Sequence, residues 1–394
     1  MLNIRHETKQ VDQKRGGDIM SQLKLMTILG TRPEIIRLSA TIKKADKYFN
    51  HILVHTGQNY NHELNEIFFQ ELGLRAPDYF LNVAGKHLGE SMGNIIAKSY
   101  EIIQKEQPDA ILILGDTNSS LAAISAKRLK VPIFHMEAGN RCWDWNVPEM
   151  VNRTIVDRIS DINLPYTENS RRYLLSEGVD GKTIFVTGSP MYEVISEYKH
   201  KIDQSKVLEE LGLEQGKYIV LSAHREENID IEENFSDLMN SINAIAEKYQ
   251  LPIVYSMHPR SKNWIEKRNF KFHPLVRPLK PFGFIDYCHL QQHAYVVLSD
   301  SGTLTEESAM LDFPGVLIRT STERPEGLDA GTIVIGGIKS KDIEEAVDLA
   351  IKMQTNKEKF VMNDDYQELN VSGKVIKIIQ SYASIVNLTT WNKK

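Results

Sequence analysis

Val131-Pro132-Ile133-Phe134 is a short apolar run that leads without a break into His135-Met136-Glu137-Ala138-Gly139-Asn140-Arg141. Cys142-Trp143-Asp144-Trp145-Asn146 follows, and then Val147-Pro148-Glu149-Met150-Val151-Asn152-Arg153. An apolar run of that length reads as a strand buried on both faces. In an open parallel sheet, ligands bind at the carboxyl edge of the strands. Glu137 and Glu149 leave this one strand end, and Asp116 stands at the end of the strand before it. One such carboxylate reads as well as a loop charge or a helix cap. Three at adjacent strand ends make an acid and base set.

Outward from this stretch the same alternation repeats. Apolar runs at 23–29, 51–55, 110–114, 162–164 and 184–186 are separated by helical patterns. Gly188-Ser189-Pro190 breaks the pattern. It restarts with apolar runs at 218–221, 253–257, 296–298, 316–318 and 332–335. Strands alternating with helices specify a doubly wound α/β fold. We therefore expect one such unit over residues 21–190 and a second over 191–370. Residues 1–20, rich in charge and Gln, read as a disordered lead or tag. Residues 371–394 carry an amphipathic helix whose apolar positions Val375, Ile376, Ile378, Ile379, Tyr382 and Ile385 need a partner surface, for which the first unit is the candidate.

Composition narrows the function. The chain of 394 residues carries a net charge of −5, with no basic block in its body, which argues against a nucleic-acid binder. No run is long enough to span a membrane, and no signal-peptide core stands near the start. Cys142 and Cys288 lie far apart and suggest no disulfide framework, so a cytoplasmic home is the default. No spacing resembles a metal motif, and no cofactor is called for. Dinucleotide, Walker and nucleophile-elbow sequences are absent.

The other strand ends carry a second kind of residue. Arg32 and Arg37 fall in the first turns of a helix after the first strand, where guanidinium groups can pair with phosphate. Ser301-Gly302-Thr303 precedes Leu304-Thr305-Glu306-Glu307 and an apolar helix. That is either a phosphate site at a helix start, with Glu307 in reach of a ribose diol, or an ordinary Ser/Thr cap with its glutamate. His224 and His258 end strands of the second half, where each serves a phosphate, acts as an acid, or bonds to backbone. Glu323-Arg324-Pro325-Glu326-Gly327 is a turn beyond a strand end, aimed at the same cleft.

Taken in order, these pieces form a recognisable set. Gly30-Thr31-Arg32-Pro33-Glu34, His55-Thr56-Gly57-Gln58, Gly115-Asp116-Thr117-Asn118-Ser119, Glu137-Ala138-Gly139-Asn140-Arg141, Pro148-Glu149 with Asn152-Arg153, His224-Arg225-Glu226, Asp300-Ser301-Gly302 with Glu306-Glu307, and Glu323-Arg324-Pro325-Glu326 occur along nearly the whole chain. The sequence resembles the non-hydrolysing UDP-N-acetylglucosamine 2-epimerase family. The segment from Asn140 to Asp144 and the short loop to Pro148 resemble the branch that forms UDP-N-acetyl-L-fucosamine from UDP-2-acetamido-2,6-dideoxy-L-talose for capsule or O-antigen synthesis. One position departs: where the family has a second glutamate after Pro-Glu, this chain has Met150.

The resemblance implies two Rossmann-like domains facing across a cleft, the architecture of B-type glycosyltransferases. It implies that Arg32, Arg37, His224, Ser301, Gly302 and Glu307 hold UDP. Asp116, Glu137 and Glu149, with His224, would be catalytic. Gln58, Arg153, His258 and Arg324 would line the sugar and phosphate pocket. The implied partners are a UDP-sugar and a second copy of the chain in a homodimer. Rival readings are a UDP-N-acetylglucosamine epimerase giving the manno product, a glycosyltransferase, and a UDP-sugar sensor.

Overall fold

A computed structural model of the chain describes residues 22–57, 62–358 and 360–393. The expected lead at 1–20 and the candidate Gln58 lie outside the described residues. The first sheet holds β1 (Lys24–Leu29), β2 (Asn50–His55), β3 (Tyr79–Phe80), β4 (Ala110–Leu114), β5 (Ile133–Met136) and β6 (Ile162–Leu164) in the order β3-β2-β1-β4-β5-β6. The second holds β7 (Ile219–Ser222), β8 (Ile253–Ser256), β9 (Val276–Leu279), β10 (Val296–Ser299), β11 (Gly315–Leu317) and β12 (Ile333–Ile335) in the order β12-β11-β10-β7-β8-β9. Every strand pairing is parallel. Each half therefore has the doubly wound order of a Rossmann fold. The fold class is the one expected.

The strands sit where the apolar runs put them, because a parallel sheet is covered on both faces by helices. β4 is buried at every position. Two strands escaped the sequence reading. β3 has only two residues, and β9 reads Val-Arg-Pro-Leu with Arg277 and Pro278 exposed on the edge of the sheet. Conversely, 184–186 is not a strand: Ile184 makes a single bridge to Asn163.

Each sheet reverses its winding once, between β1 and β4 and between β7 and β10. Chain segments leave in opposite directions at such a point and open a crevice at the carboxyl ends of the strands. Gly30-Thr31-Arg32 and Gly115-Asp116 line the first crevice, and Ala223-His224-Arg225 and Asp300-Ser301-Gly302 the second. The two crevices open on one shared cavity. The last helix, Val371–Thr389, packs on the helix Arg32–Tyr48. Val371, Val375, Ile376, Ile379, Ala383 and Val386 are buried there in the same core as Leu25, Leu29 and Leu38. Ile385, expected on that face, is instead 45% exposed. Among the described residues no helix is long and apolar enough to cross a membrane.

Candidate active site

The shared cavity has a volume of about 320 Å³ and adjoins a smaller one of about 110 Å³. Asp116, Glu137, Glu149, Arg153, His224, His258, Ser301, Gly302 and Arg324 all line the larger. Arg32 and Glu307 line the smaller, and Arg37 lines both. Residues spread over almost the whole sequence thus meet in one place.

Glu137 is the centre of this cluster. It follows β5 directly, and its φ of +60° puts it in the left-handed region, which costs a non-glycine residue energy unless its surroundings hold it. They do. The Glu137 N–H donates to the Leu164 carbonyl (3.1 Å), and Arg153 Nη1 donates to the Glu137 carbonyl (2.7 Å). Gly139, two residues on and at φ +82°, packs so tightly that an added Cβ would lie 2.5 Å from the Ser170 carbonyl oxygen. Behind the turn, His135 bridges the Asp157 carboxylate (2.9 Å) and the Gly115 carbonyl (2.8 Å). Arg141 is pinned between Asp157 and Glu177, at 2.7 Å from each, and Asn140 accepts from Ser170 (2.7 Å). Of Glu137-Ala138-Gly139-Asn140-Arg141, only the glutamate lines the cavity; Asn140 and Arg141 are buried scaffolding.

Each of the three expected acids has its own arginine. Glu137 is bonded by Arg37 and, at 2.5 Å, by Arg324 from the opposite crevice. Asp116 is bonded by Arg153. Glu149 lies 3.4 Å from Arg225 of the opposite crevice. These settings push the ionisation of Asp116 and Glu137 apart. Burial drives Asp116 up; Arg153 opposes it, but Glu137 and Glu149 add to the rise. Burial acts on Glu137 in the same sense, yet Arg37, Arg324 and Arg153 outweigh it and hold the carboxylate below its usual range. For Asp116 burial is a larger cause than the like charge of Glu137 and Glu149.

On the facing side, Asp300 organises the loop after β7. It accepts the backbone N–H groups of His224 (2.8 Å) and Arg225 (2.9 Å) and faces His224 Nδ1 at 3.3 Å. His258 caps its own helix, with Nδ1 accepting the Arg260 N–H (3.2 Å), and burial together with His224 and Arg32 drives its pKa down to about 4. It lines the cavity, and in this setting the neutral imidazole is favoured. Thr303 starts the helix Leu304–Leu311 without a side-chain cap bond of its own, but Ser301 Oγ accepts the Thr303 N–H (3.4 Å), so the turn is both a Ser cap and a wall of the cavity. Glu307 accepts from Gln291 (2.6 Å) in the smaller cavity.

The sequence reading passed over four participants. Arg225 bridges Glu149 and Glu323, the latter at 3.3 Å. Arg319 steadies Glu323 at 2.9 Å. Glu306 pairs with Arg324. Glu34 lines the cavity and is buried. Arg225, Glu306 and Glu34 stand inside the quoted motifs, yet only three-dimensional pairing distinguishes them from ordinary helix-start charges. Among the described residues, no set of three or more His, Cys, Asp or Glu side chains is placed to hold a metal ion.

Comparison with known proteins adds to this geometry. The family described as UDP-N-acetylglucosamine 2-epimerase matches residues 41–380. A structure of UDP-N-acetylglucosamine 2-epimerase from Rickettsia bellii is similar at a TM-score of 0.88 and 45% identity, covering 94% of this chain and 100% of that one. The Methanocaldococcus jannaschii UDP-GlcNAc 2-epimerase in complex with UDP-GlcNAc and UDP is similar at 0.86 and 31%, covering 91% and 100%. A UDP-2,3-diacetamido-2,3-dideoxy-D-glucuronate 2-epimerase of Pseudomonas aeruginosa is 32% identical over 82% of this chain and 91% of its own.

Proposed function

We propose that this chain, which belongs to the UDP-N-acetylglucosamine 2-epimerase family, inverts carbon 2 of a UDP-2-acetamido sugar by expelling UDP and adding it back. The observation that carries this reading is the pair of acids Asp116 and Glu137. They line one cavity and are pushed in opposite directions.

Carbon 2 carries an acetamido group and adjoins no carbonyl, so its hydrogen is barely acidic. Loss of the diphosphate builds positive charge at carbon 1 and makes the neighbouring hydrogen removable. A glycal and UDP then share the cavity. Inversion needs a proton taken from one face and another delivered to the opposite face. One carboxyl must be ionised and a second protonated, and the two exchange roles in the reverse direction. In this reading Glu137, held as the anion, is the base of one direction, and Asp116 is the acid. Glu149 stabilises the oxocarbenium-like state. Arg32, Arg37, His224 and the Ser301-Gly302 turn take the departing diphosphate, and Glu307 the ribose.

Two sugars fit. The Asn140–Asp144 segment favours UDP-2-acetamido-2,6-dideoxy-L-talose, giving UDP-N-acetyl-L-fucosamine. The names of the relatives favour UDP-N-acetylglucosamine, giving UDP-N-acetylmannosamine. Incubating the protein with each UDP-sugar in heavy water, without any acceptor, tests both the reaction and the sugar by NMR. Epimer bearing deuterium at carbon 2 is expected from one of them. Epimer without deuterium ends the elimination route.

A further inference from the structure

Every acid in the wall of the main cavity except one is matched to an arginine among the described residues. Asp116 has Arg153, Glu137 has Arg37 and Arg324, Glu149 has Arg225, Glu226 has Arg260, Glu227 has Arg319, and Glu323 has Arg225 and Arg319. Glu34 lines the same wall, is 1% exposed and has no cation. Its two oxygens are treated differently. Oε2 accepts three hydrogen bonds, from the Gly30 N–H (3.2 Å), Thr31 Oγ1 (2.7 Å) and Thr117 Oγ1 (3.1 Å). Oε1 is buried and has no partner. A glutamate that merely caps the helix Arg32–Tyr48 accounts for the first oxygen and leaves the second unexplained.

A buried carboxylate without a counter-ion is costly, and such a group neutralises instead. In the neutral acid Oε1 carries the hydrogen, since Oε2 is the oxygen that accepts. That hydroxyl then lacks an acceptor on the protein while its residue faces the cavity. Burial lifts Glu34 to about 7, against the hydrogen bonds from Thr31, Gly30 and Thr117, which lower it.

We propose that Glu34 is carried as the neutral carboxylic acid and that its Oε1 hydroxyl donates a hydrogen bond to an acceptor oxygen of the bound sugar nucleotide. This rests on the nucleotide-sugar reading above and adds a residue to it. An ionised Glu34 would instead turn an unpaired anion toward an anionic ligand. Binding therefore weakens as pH rises through the point where Glu34 ionises.

Arg32 and Arg37 share the helix of Glu34, and the charged and titratable groups that line the cavity with it are Arg37, Asp116 after β4, Glu137 after β5, and Glu149 and Arg153 of the helix Pro148–Ile159. Across the cavity stand His224, Arg225, Glu226, Glu227, His258, Arg260, Glu323 and Arg324. A ratio between two proteins differing only at Glu34 cancels their titration and that of the ligand. The test is the dissociation constant of UDP-N-acetylglucosamine and of UDP for wild type and Glu34→Gln, from about pH 6 to about pH 8.5. The amide of the variant donates at every pH. The two proteins should bind alike near pH 6, and wild type should lose about tenfold per pH unit relative to the variant above neutrality.

A pH-dependent ratio with both probes places the acceptor on the UDP moiety; one with the sugar nucleotide alone places it on the sugar. A constant ratio overturns the inference. Wild type alone gives a second measure. Calorimetry in two buffers of different ionisation enthalpy should show uptake of about one proton per UDP-N-acetylglucosamine bound near pH 8. No uptake, or an uptake unchanged in the variant, overturns it. If neither probe binds at any pH, the nucleotide-sugar reading fails and this inference with it.

Discussion

Arg324 reaches from the loop after β11 to within 2.5 Å of Glu137 after β5, and its other amino group holds Glu306. The pair is buried on both sides, at 3% and 4% side-chain exposure. It joins the two crevices through the residue proposed as base. Arg324→Met leaves Glu137 with an incomplete set of cations, and breaking a buried pair costs about 3 kcal/mol or more. We expect that loss in urea denaturation and a fall in kcat of roughly a hundredfold. Unchanged kcat in a stably folded variant would remove Arg324 from the site.

The split between Asp116 and Glu137 predicts a bell-shaped pH profile for kcat, since turnover needs one acid protonated and the other ionised. Activity falls on the acid side as Glu137, held low, takes up a proton. It falls on the alkaline side as Asp116, held high, loses one. Glu137→Gln and Asp116→Asn should each lower kcat on the order of 10²–10⁴ while UDP still binds. A flat profile, or a fully active amide at either position, contradicts the assignment.

Glu34 also leaves a mark on stability. Its folded pKa of about 7 lies above the ordinary 4.5, so the unfolded chain ionises first as pH rises. The contribution of Glu34 is complete below pH 4.5 and is lost as pH climbs to about 7, a change of about 3 kcal/mol. Glu34→Gln removes that slope. The difference in unfolding free energy between the two proteins, followed across this window, should change by that order and then level off.

Gly139→Ala tests the turn that aims Glu137. The new methyl would lie 2.5 Å from the Ser170 carbonyl oxygen and 2.9 Å from Leu174 Cγ, at a φ of +82°. We expect roughly 2 kcal/mol or more of destabilisation. Activity should fall further than stability accounts for, because the Glu137 backbone shifts with it. A thermal melt and kcat on the same sample separate the two effects.

Most of the scaffold was legible because a strand covered on both faces must be apolar at every position, as β4 is. β9 was not, because an edge strand accepts an exposed arginine and a proline that would break a central one. The site was legible where a charged residue directly follows an apolar run, as Asp116, Glu137 and His224 do. Arg225 and Glu34 were passed over because the cavity they line is closed by distant segments. Glu149 is met across the cavity from Arg225, and Thr117 lies 83 residues from Glu34.

The sequence by itself determined the strands, their alternation with helices, and which side chains leave the carboxyl ends, since these follow from local burial and turn chemistry. Tertiary structure alone decided the charge each acid carries. Glu137 lies 100 residues from Arg37 and 187 from Arg324, and it stays an anion on burial because folding brings both guanidinium groups to its oxygens. Coulomb attraction and the loss of water depend on distance through space and not along the chain. The same folding leaves Glu34 without a cation and lifts it to about 7, a difference that no reading of two glutamates in a row of letters can supply.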